Sequence, residues 1–264
     1  MSRTFKFIEK MIHHPVESVA LVLSGGGAQG AIHLGVLKAL DEYNIKVDAI
    51  AGTSIGAIIG AFYSAGITPL QMKNIMASQG FVKMFHFSWN TKGLLTMKDL
   101  YRMFEKYHPD KSFSSLDIPF YSCASNLDAN RYEIFHDGDL HKAVAASASI
   151  PVLFQPVVIN GSHYIDGGLY NNFPVEPLLK KRYDNILGIH INNTKQPDEY
   201  NVFAIAERIF TAVVRQNVTK KMKRCDFLIN PFLEKRYGII DFRNTEELFE
   251  IGYKEGVDFV KRTR

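Results

Sequence analysis

The sequence predicts an α/β fold with a mainly parallel central sheet flanked by helices. Three observations predict it. From residue 18 onward, apolar runs alternate with amphipathic segments in β-α-β-α order, an order that right-handed crossovers turn into parallel sheet. The first of these runs, Ser18 to Ser24, is almost continuously apolar, as a strand covered on both faces should be. The first two strands both hand over to glycine-rich turns that open helices, at 25–30 and at 52–56.

The elements follow in order. In Met1 to Val16, Phe5, Ile8 and Ile12 share one helical face, Phe7 and Met11 lie beside it, and Arg3, Lys6 and Lys10 add positive charge. Such a segment suits packing on the body of the protein or resting in a lipid interface, and it lacks the apolar core and cleavage site of a signal peptide. Ala31 to Tyr43 places Ile32, Val36, Leu37 and Leu40 at helical spacing. Val47 to Ala51 reads as a buried strand and Ala57 to Tyr63 as an apolar helix, and Pro69 opens a helix running to Met76. Gly80 to Leu95 interleaves Phe81, Phe85, Phe87 and Trp89 with Lys83, His86 and Lys92 and keeps neither period. It reads as an aromatic loop, either tucked onto the core or facing lipid.

Thr96 to Tyr107 reads as a helix, and Phe120 to Asn126 and Arg131 to Phe135 as strands. Leu140 to Ser149 is a small-residue helix ended by Pro151. Val157 to Asn160 and His163 to Ile165 form a hairpin turning at Asn160-Gly161. Asn185 to Ile191 and Phe227 to Asn230 are further buried strands, and Asn201 to Lys223 and Thr245 to Lys261 are long helices. No repeat, low-complexity tract or linker interrupts this order. One domain over residues 17–264 is expected behind the amphipathic segment 1–16.

Composition narrows the function. The 264 residues are 46% hydrophobic and 22% charged, with a formal net charge of +4. That charge is too weak to argue for nucleic acid and is compatible with an anionic lipid surface. Lys180-Lys181-Arg182 and the cluster from Lys220 to Arg224 fall near helix ends, where cations suit the macrodipole. Cys123 and Cys225 are the only cysteines, too few for a disulfide framework, so a reducing, cytoplasmic compartment is expected. Cys123 lies in an apolar run and reads as a buried thiol. No run approaches the ~20 apolar residues of a membrane span. The nine histidines show no metal-ligand spacing, so no metal site is expected.

The chemistry gathers at the glycine turns. Gly52-Thr53-Ser54-Ile55-Gly56 is a G-x-S-x-G pentapeptide between strand and helix. The chain must turn sharply at Ser54, and Gly52 and Gly56 remove the β-carbons that would clash. The turn exposes the Ser54 hydroxyl at a helix N-terminus, where it can act as a nucleophile. The plainer reading makes Ser54 a helix N-cap. Gly25-Gly26-Gly27-Ala28-Gln29-Gly30 formally matches a dinucleotide fingerprint. That reading needs an acidic residue at the end of the second strand, whereas Asp48 sits at its beginning. The alternative places both turns at one sheet edge, with the N–H groups of Gly25 to Gly27 forming an oxyanion hole beside Ser54. Asp166-Gly167-Gly168 after the hairpin is, by composition alone, a turn.

Taken together, the glycine loop, the G-x-S-x-G elbow and the downstream Asp-Gly-Gly resemble the patatin-like phospholipases. Gly30 to Leu37 is similar to that family's first helix, Ala146 to Pro156 to its small-residue helix and proline-bounded segment, and Asn171 to Val175 to the family's segment just after the aspartate. The resemblance runs from about Val19 to Val175. It implies a three-layer α/β/α domain that hydrolyses lipid acyl esters of the phospholipase A or lysophospholipase type. It implies a dyad in which Ser54 is the nucleophile and Asp166 the base, with Gly25, Gly26, Gly27 and Gly30 as the oxyanion loop. No cofactor is implied, because one dyad serves both half-reactions. A phospholipid or other acyl-ester lipid is the implied partner; whether the chain also meets a membrane at its periphery through the amphipathic segment 1–16 stays open. Desolvation should raise the basicity of an aspartate so used. The chain departs from the family's common Arg or Lys at Gln29, which brings no charge to the loop. Two rivals stand beside the dyad: a Ser…Asp…His triad using His190, and a catalytically silent lipid-binding module. Gly80 to Leu95, Phe232, Leu233 and Tyr237 are the expected lining of an acyl groove.

Overall fold

β1 (Ser18–Leu23) is apolar on both sides, and each side enters its own core. Val19, Leu21 and Leu23 join one cluster, whereas Ala20 and Val22 join another on the opposite face. The strand is therefore covered twice, as its unbroken hydrophobicity predicts. The structure is a computed structural model that describes residues 15–78, 81, 97–193, 212–214, 216–235 and 237–264.

The remaining strands are β2 (Lys46–Thr53), β3 (Phe120–Asn126), β4 (Arg131–Phe135), β5 (Val157–Ile159), β6 (Ser162–Asp166), β7 (Ile186–Ile189) and β8 (Phe227–Ile229). They form one sheet in the order β5-β6-β3-β2-β1-β7-β8, with β4 also paired to β3. Pairings are parallel from β3 through β2, β1 and β7 to β8. They are antiparallel where β3 meets β4 and β6 and where β5 meets β6. The expected mainly parallel sheet is thus present, with its antiparallel strands gathered at one side.

The helices are α1 (Ala31–Glu42), α2 (Ile55–Ser64), α3 (Pro69–Ala77), α4 (Lys98–Tyr107), α5 (Leu140–Ala148), α6 (Gly168–Asn171), α7 (Glu176–Lys181) and α8 (Thr245–Thr263). Residues 212–214 and 216–222 are helical as well. The cluster holding Leu21 and Leu23 is shared with α1, α2, α3, α4, α5 and α8. The cluster holding Ala20 and Val22 is shared with Leu178 of α7 and with Val214 and Val218. Helices on both faces of one sheet make the three layers.

Two local features fix the frame. Asn160 and Gly161 both take positive φ, 50° and 81°, the geometry that a two-residue hairpin turn requires. α1 and α8 meet backbone to backbone. A Cβ on Gly35 would strike the Phe249 carbonyl oxygen, and one on Gly252 would strike that of Ile32.

Several expectations fall on residues outside this description. Of Met1 to Val16 only Pro15 and Val16 are described, and the Val16 N–H donates to the Thr263 carbonyl at 3.0 Å. Of Gly80 to Leu95 only Phe81 is described; it is buried, with its ring edge-on to Phe242 at 5.1 Å. The first part of the helix expected from Asn201 also lies outside the described residues. Cys123 is buried and free, as expected.

Candidate active site

Ser54 sits between β2 and α2 with φ 57° and ψ −126°. A residue with a side chain reaches this region at a cost, which the surroundings must hold in place. Gly52 and Gly56 make the turn sterically open. A Cβ on Gly52 would strike the Gly56 carbonyl, and one on Gly56 would strike the carbonyls of Leu23 and Ser24. Ser147 locks the turn from below: its Oγ accepts from the Ser54 N–H at 2.9 Å and donates to the Cys123 carbonyl at 2.6 Å. Beside it the Thr53 hydroxyl donates to the Asn171 carbonyl at 2.9 Å. Ser54 is the N-cap residue of α2 by position, and its carbonyl accepts from the Ala57 and Ile58 N–H groups, but its side chain makes no capping bond to the helix. Its hydroxyl is directed elsewhere.

That direction is Asp166, and the register of β3 explains why. β2 pairs Gly52 and Thr53 with Ser122 and Cys123 of β3. β4 pairs with the same two residues, so it occupies the other edge of β3. β4 also covers Ala124 to Asn126, so β6, which pairs with those residues, must share the edge of β2. β2 runs parallel to β3 and ends opposite Cys123. β6 runs antiparallel and ends with Asp166 opposite Ala124. The two strands therefore meet end to end, and their last residues deliver Ser54 and Asp166 to one point.

The Ser54 hydroxyl donates to Asp166 Oδ2 at 2.5 Å, and the Gly168 N–H donates to Oδ1 at 2.8 Å. The Asp166 N–H donates to the Ser149 carbonyl at 2.9 Å, and the Gly167 N–H donates to that of Ser147 at 3.3 Å. A Cβ on Gly167 would strike the Cys123 carbonyl, so only glycine lets the loop pass this close to β3. Asp166 is 1% exposed and Ser54 7%. Burial pushes the Asp166 carboxyl up to about 6, against the opposing effect of the Ser54 and Gly168 hydrogen bonds. No cation contributes to this balance.

The glycine loop lies beside the pair. A Cβ on Gly25 would lie 2.9 Å from that of Ser54, and one on Gly30 would strike the Ile55 side chain. Gly27 takes φ 58° against the Ile239 carbonyl, and the next N–H, of Ala28, donates to that carbonyl at 2.7 Å. Among the described residues, the N–H groups of Gly25, Gly26 and Gly27 donate to no protein group. Gln29 is buried and donates through Nε2 to the Tyr237 carbonyl at 3.1 Å. Its amide therefore anchors the loop to residues 237–239.

His190 stands at the end of β7, where Nδ1 hydrogen-bonds Asn230 Oδ1 at 2.9 Å. Both Asp166 oxygens are taken, by Ser54 and by Gly168. His33 is fully buried on α1, and His163 pairs with Asp128 at 3.1 Å. Among the described residues, no group of three His, Cys, Asp or Glu side chains is placed to hold a metal ion. Of the expected acyl lining, Leu233 and Tyr237 are buried in the core, and Phe232 is 59% exposed. A narrow cavity walled only by apolar side chains lies between α2 and α3; it includes Ile55, Ile58, Ile59, Phe62, Met72 and Phe81.

The sequence reading missed the polar frame: Ser147 under Ser54, and Asn172, Asn192 and Asn217 around the loops. Single serines and asparagines carry no periodic signal. Their partners lie far along the chain.

A serine on a strained strand-to-helix turn, a buried carboxylate and a glycine loop thus lie together on a three-layer α/β fold. The chain belongs to the patatin-like phospholipase family, whose model matches residues 21–179. The Lysophospholipase NTE1 of Kluyveromyces lactis is 27% identical over 93% of this chain and 19% of its own length. The human Patatin-like phospholipase domain-containing protein 6 is 26% identical over 90% of this chain and 20% of its own length. The chain thus spans about a fifth of the curated relatives that it matches. VipD from Legionella pneumophila shares the fold, with a TM-score of 0.54 at 15% identity, over 94% of this chain and 67% of that one.

Proposed function

We propose that this protein hydrolyses acyl esters of phospholipids or lysophospholipids through an acyl-enzyme on Ser54, with Asp166 as the base. The observation that carries the proposal is the 2.5 Å hydrogen bond from the Ser54 hydroxyl to the buried Asp166 carboxylate. As Ser54 Oγ attacks the ester carbonyl, its proton passes to Asp166. Negative charge moves to the carbonyl oxygen, where the N–H groups of the glycine loop and the start of α2 can receive it. Asp166 then returns the proton to the departing alkoxide. In the second half, Asp166 takes a proton from water as the water oxygen attacks the acyl carbonyl; the bond to Ser54 Oγ then breaks, Asp166 returns that proton to Oγ, and the fatty acid leaves.

A surface aspartate, near ~3.9, would be a weak base for a serine hydroxyl. Burial strengthens it by making the neutral acid the easier state. With Gln29 turned to Tyr237, oxyanion stabilisation rests on backbone dipoles. Ile55, beside Ser54, lines a small apolar cavity between α2 and α3, so the wall next to the site is apolar on that side. The lipid-acting names among the relatives support a lipid substrate. No helix among the described residues is long and apolar enough to cross a membrane. Peripheral contact with a lipid surface in the cytoplasm is part of the proposal.

The test is hydrolysis of lysophosphatidylcholine and of a medium-chain p-nitrophenyl ester by wild type and by Ser54→Ala. Release of fatty acid and p-nitrophenol by wild type alone supports the reading. A folded wild type that releases neither points to the lipid-binding module instead.

A further inference from the structure

The peptide planes of the glycine loop are fixed from behind by side chains that the reaction itself does not use. All described peptide bonds are trans, so each C=O points opposite to the N–H of the same peptide. The Ser24 carbonyl accepts from His33 Nε2 at 2.8 Å, which turns the Gly25 N–H away from α1. The Gly25 carbonyl accepts from Asn192 Nδ2 at 2.7 Å and from Asn172 Nδ2 at 3.3 Å. That turns the Gly26 N–H away from both asparagines. Two successive peptides are thus held by their oxygens while their N–H groups meet no protein acceptor among the described residues.

The frame extends to the base. The Asn172 N–H donates to Asn217 Oδ1 at 3.1 Å, and Asn217 Nδ2 donates to the Gly168 carbonyl at 3.1 Å. Gly168 is the residue whose N–H holds Asp166. One chain of hydrogen bonds therefore links the glycine loop to the carboxylate. His33 has the matching character. Burial lowers it to about 4, so it is neutral in the working range. Because a carbonyl accepts from Nε2, the proton sits on Nε2, and Nδ1 is left buried with no partner. An orphaned buried acceptor costs stability, which a residue kept only for packing need not carry.

We infer that Asn172, Asn192 and His33 are positioning residues of the oxyanion hole: their donors hold the Ser24 and Gly25 carbonyls so that the Gly25 and Gly26 amides face the charge formed at Ser54. The inference rests on the hydrolase reading above. It assigns these side chains an effect on the transition state and none on substrate docking.

The experiment compares Asn192→Asp, Asn172→Asp, His33→Leu and His33→Gln with wild type and Ser54→Ala. kcat and KM are read on a p-nitrophenyl ester, and Ki on a trifluoromethyl ketone, whose adduct on Ser54 carries the oxyanion. Asn192 is only half-buried, so Asn192→Asp keeps the test open if a buried variant fails to fold. The expected result is a fall in kcat of roughly 100-fold with KM nearly unchanged, and a parallel rise in Ki. His33→Gln, which can place an N–H near the Nε2 position, recovers most of the activity that His33→Leu loses. The inference is overturned if Ki holds while kcat falls, if KM alone moves, or if Gln is as poor as Leu at position 33. If wild type and Ser54→Ala are equally inactive, the hydrolase reading has failed and this inference falls with it.

Discussion

On the parallel side of the sheet, Ser54 is placed by its immediate neighbours; on the antiparallel side, Asp166 is placed by a strand far from it in sequence. Gly52 and Gly56 are two positions either side of the serine, and they keep its turn free of backbone clashes. Asp166 owes its position to the register of β6 on β3, where it lies opposite Ala124 on the edge that β2 has just vacated. A local code is readable from a pentapeptide. A register is not, because the residues that set it are ordinary strand residues whose pairing depends on the whole sheet.

The largest effect comes from breaking the local side. Gly56→Val drives a side chain into the Leu23 and Ser24 carbonyls at the end of β1. It should abolish turnover and cost about 3 kcal/mol or more in chemical denaturation. Ser147 joins the two sides, since it binds the Ser54 N–H and its carbonyl accepts from Gly167. Ser147→Ala should lower kcat roughly 10- to 100-fold by loosening the nucleophile, with a loss of about 1 kcal/mol in stability.

pH sharpens the comparison on the antiparallel side. Asp166 accepts a proton only when ionised, and burial sets that threshold near 6. kcat/KM should therefore fall as pH drops through about 6, approaching tenfold per unit below it. A smaller effect tests the apolar cavity. Met72→Trp overpacks it and should cost about 1–3 kcal/mol in chemical denaturation, with turnover of short-chain esters little changed. The smallest is His190→Ala. With the Asp166 oxygens taken by Ser54 and Gly168, the dyad account gives His190 no part in proton transfer, and turnover should change by less than about threefold.

The same contrast explains how much the sequence disclosed. The strand and helix order was legible because β1 is apolar on both faces and α1 carries Ile32, Val36, Leu37 and Leu40 at helical spacing. The hairpin was legible in Asn160-Gly161, whose positive φ values the dipeptide favours. Asp166 was recognisable by resemblance, but nothing in Asp-Gly-Gly revealed its meeting with Ser54. Ser147, Asn172 and Asn192 were invisible as site residues. The close contact of α1 with α8 at Gly35 and Gly252 also went unread, since a helical glycine marks a near neighbour without naming it.

The central claim is that one buried carboxylate, without a histidine, activates Ser54. Asp166→Asn tests it by pairing turnover with stability. Holding a carboxyl near 6 rather than its ordinary 3.8 costs the folded state about 3 kcal/mol once the group is ionised. The folded carboxyl binds its proton more tightly than the unfolded one. The penalty is therefore full above pH about 6, shrinks as pH falls, and is gone below 3.8. Asp166→Asn should lose about 1,000-fold or more in kcat. At pH 7 it should also unfold at higher denaturant than wild type, an advantage that vanishes near pH 4. A variant that keeps its turnover, or one that loses turnover and is also less stable at pH 7, would contradict the account.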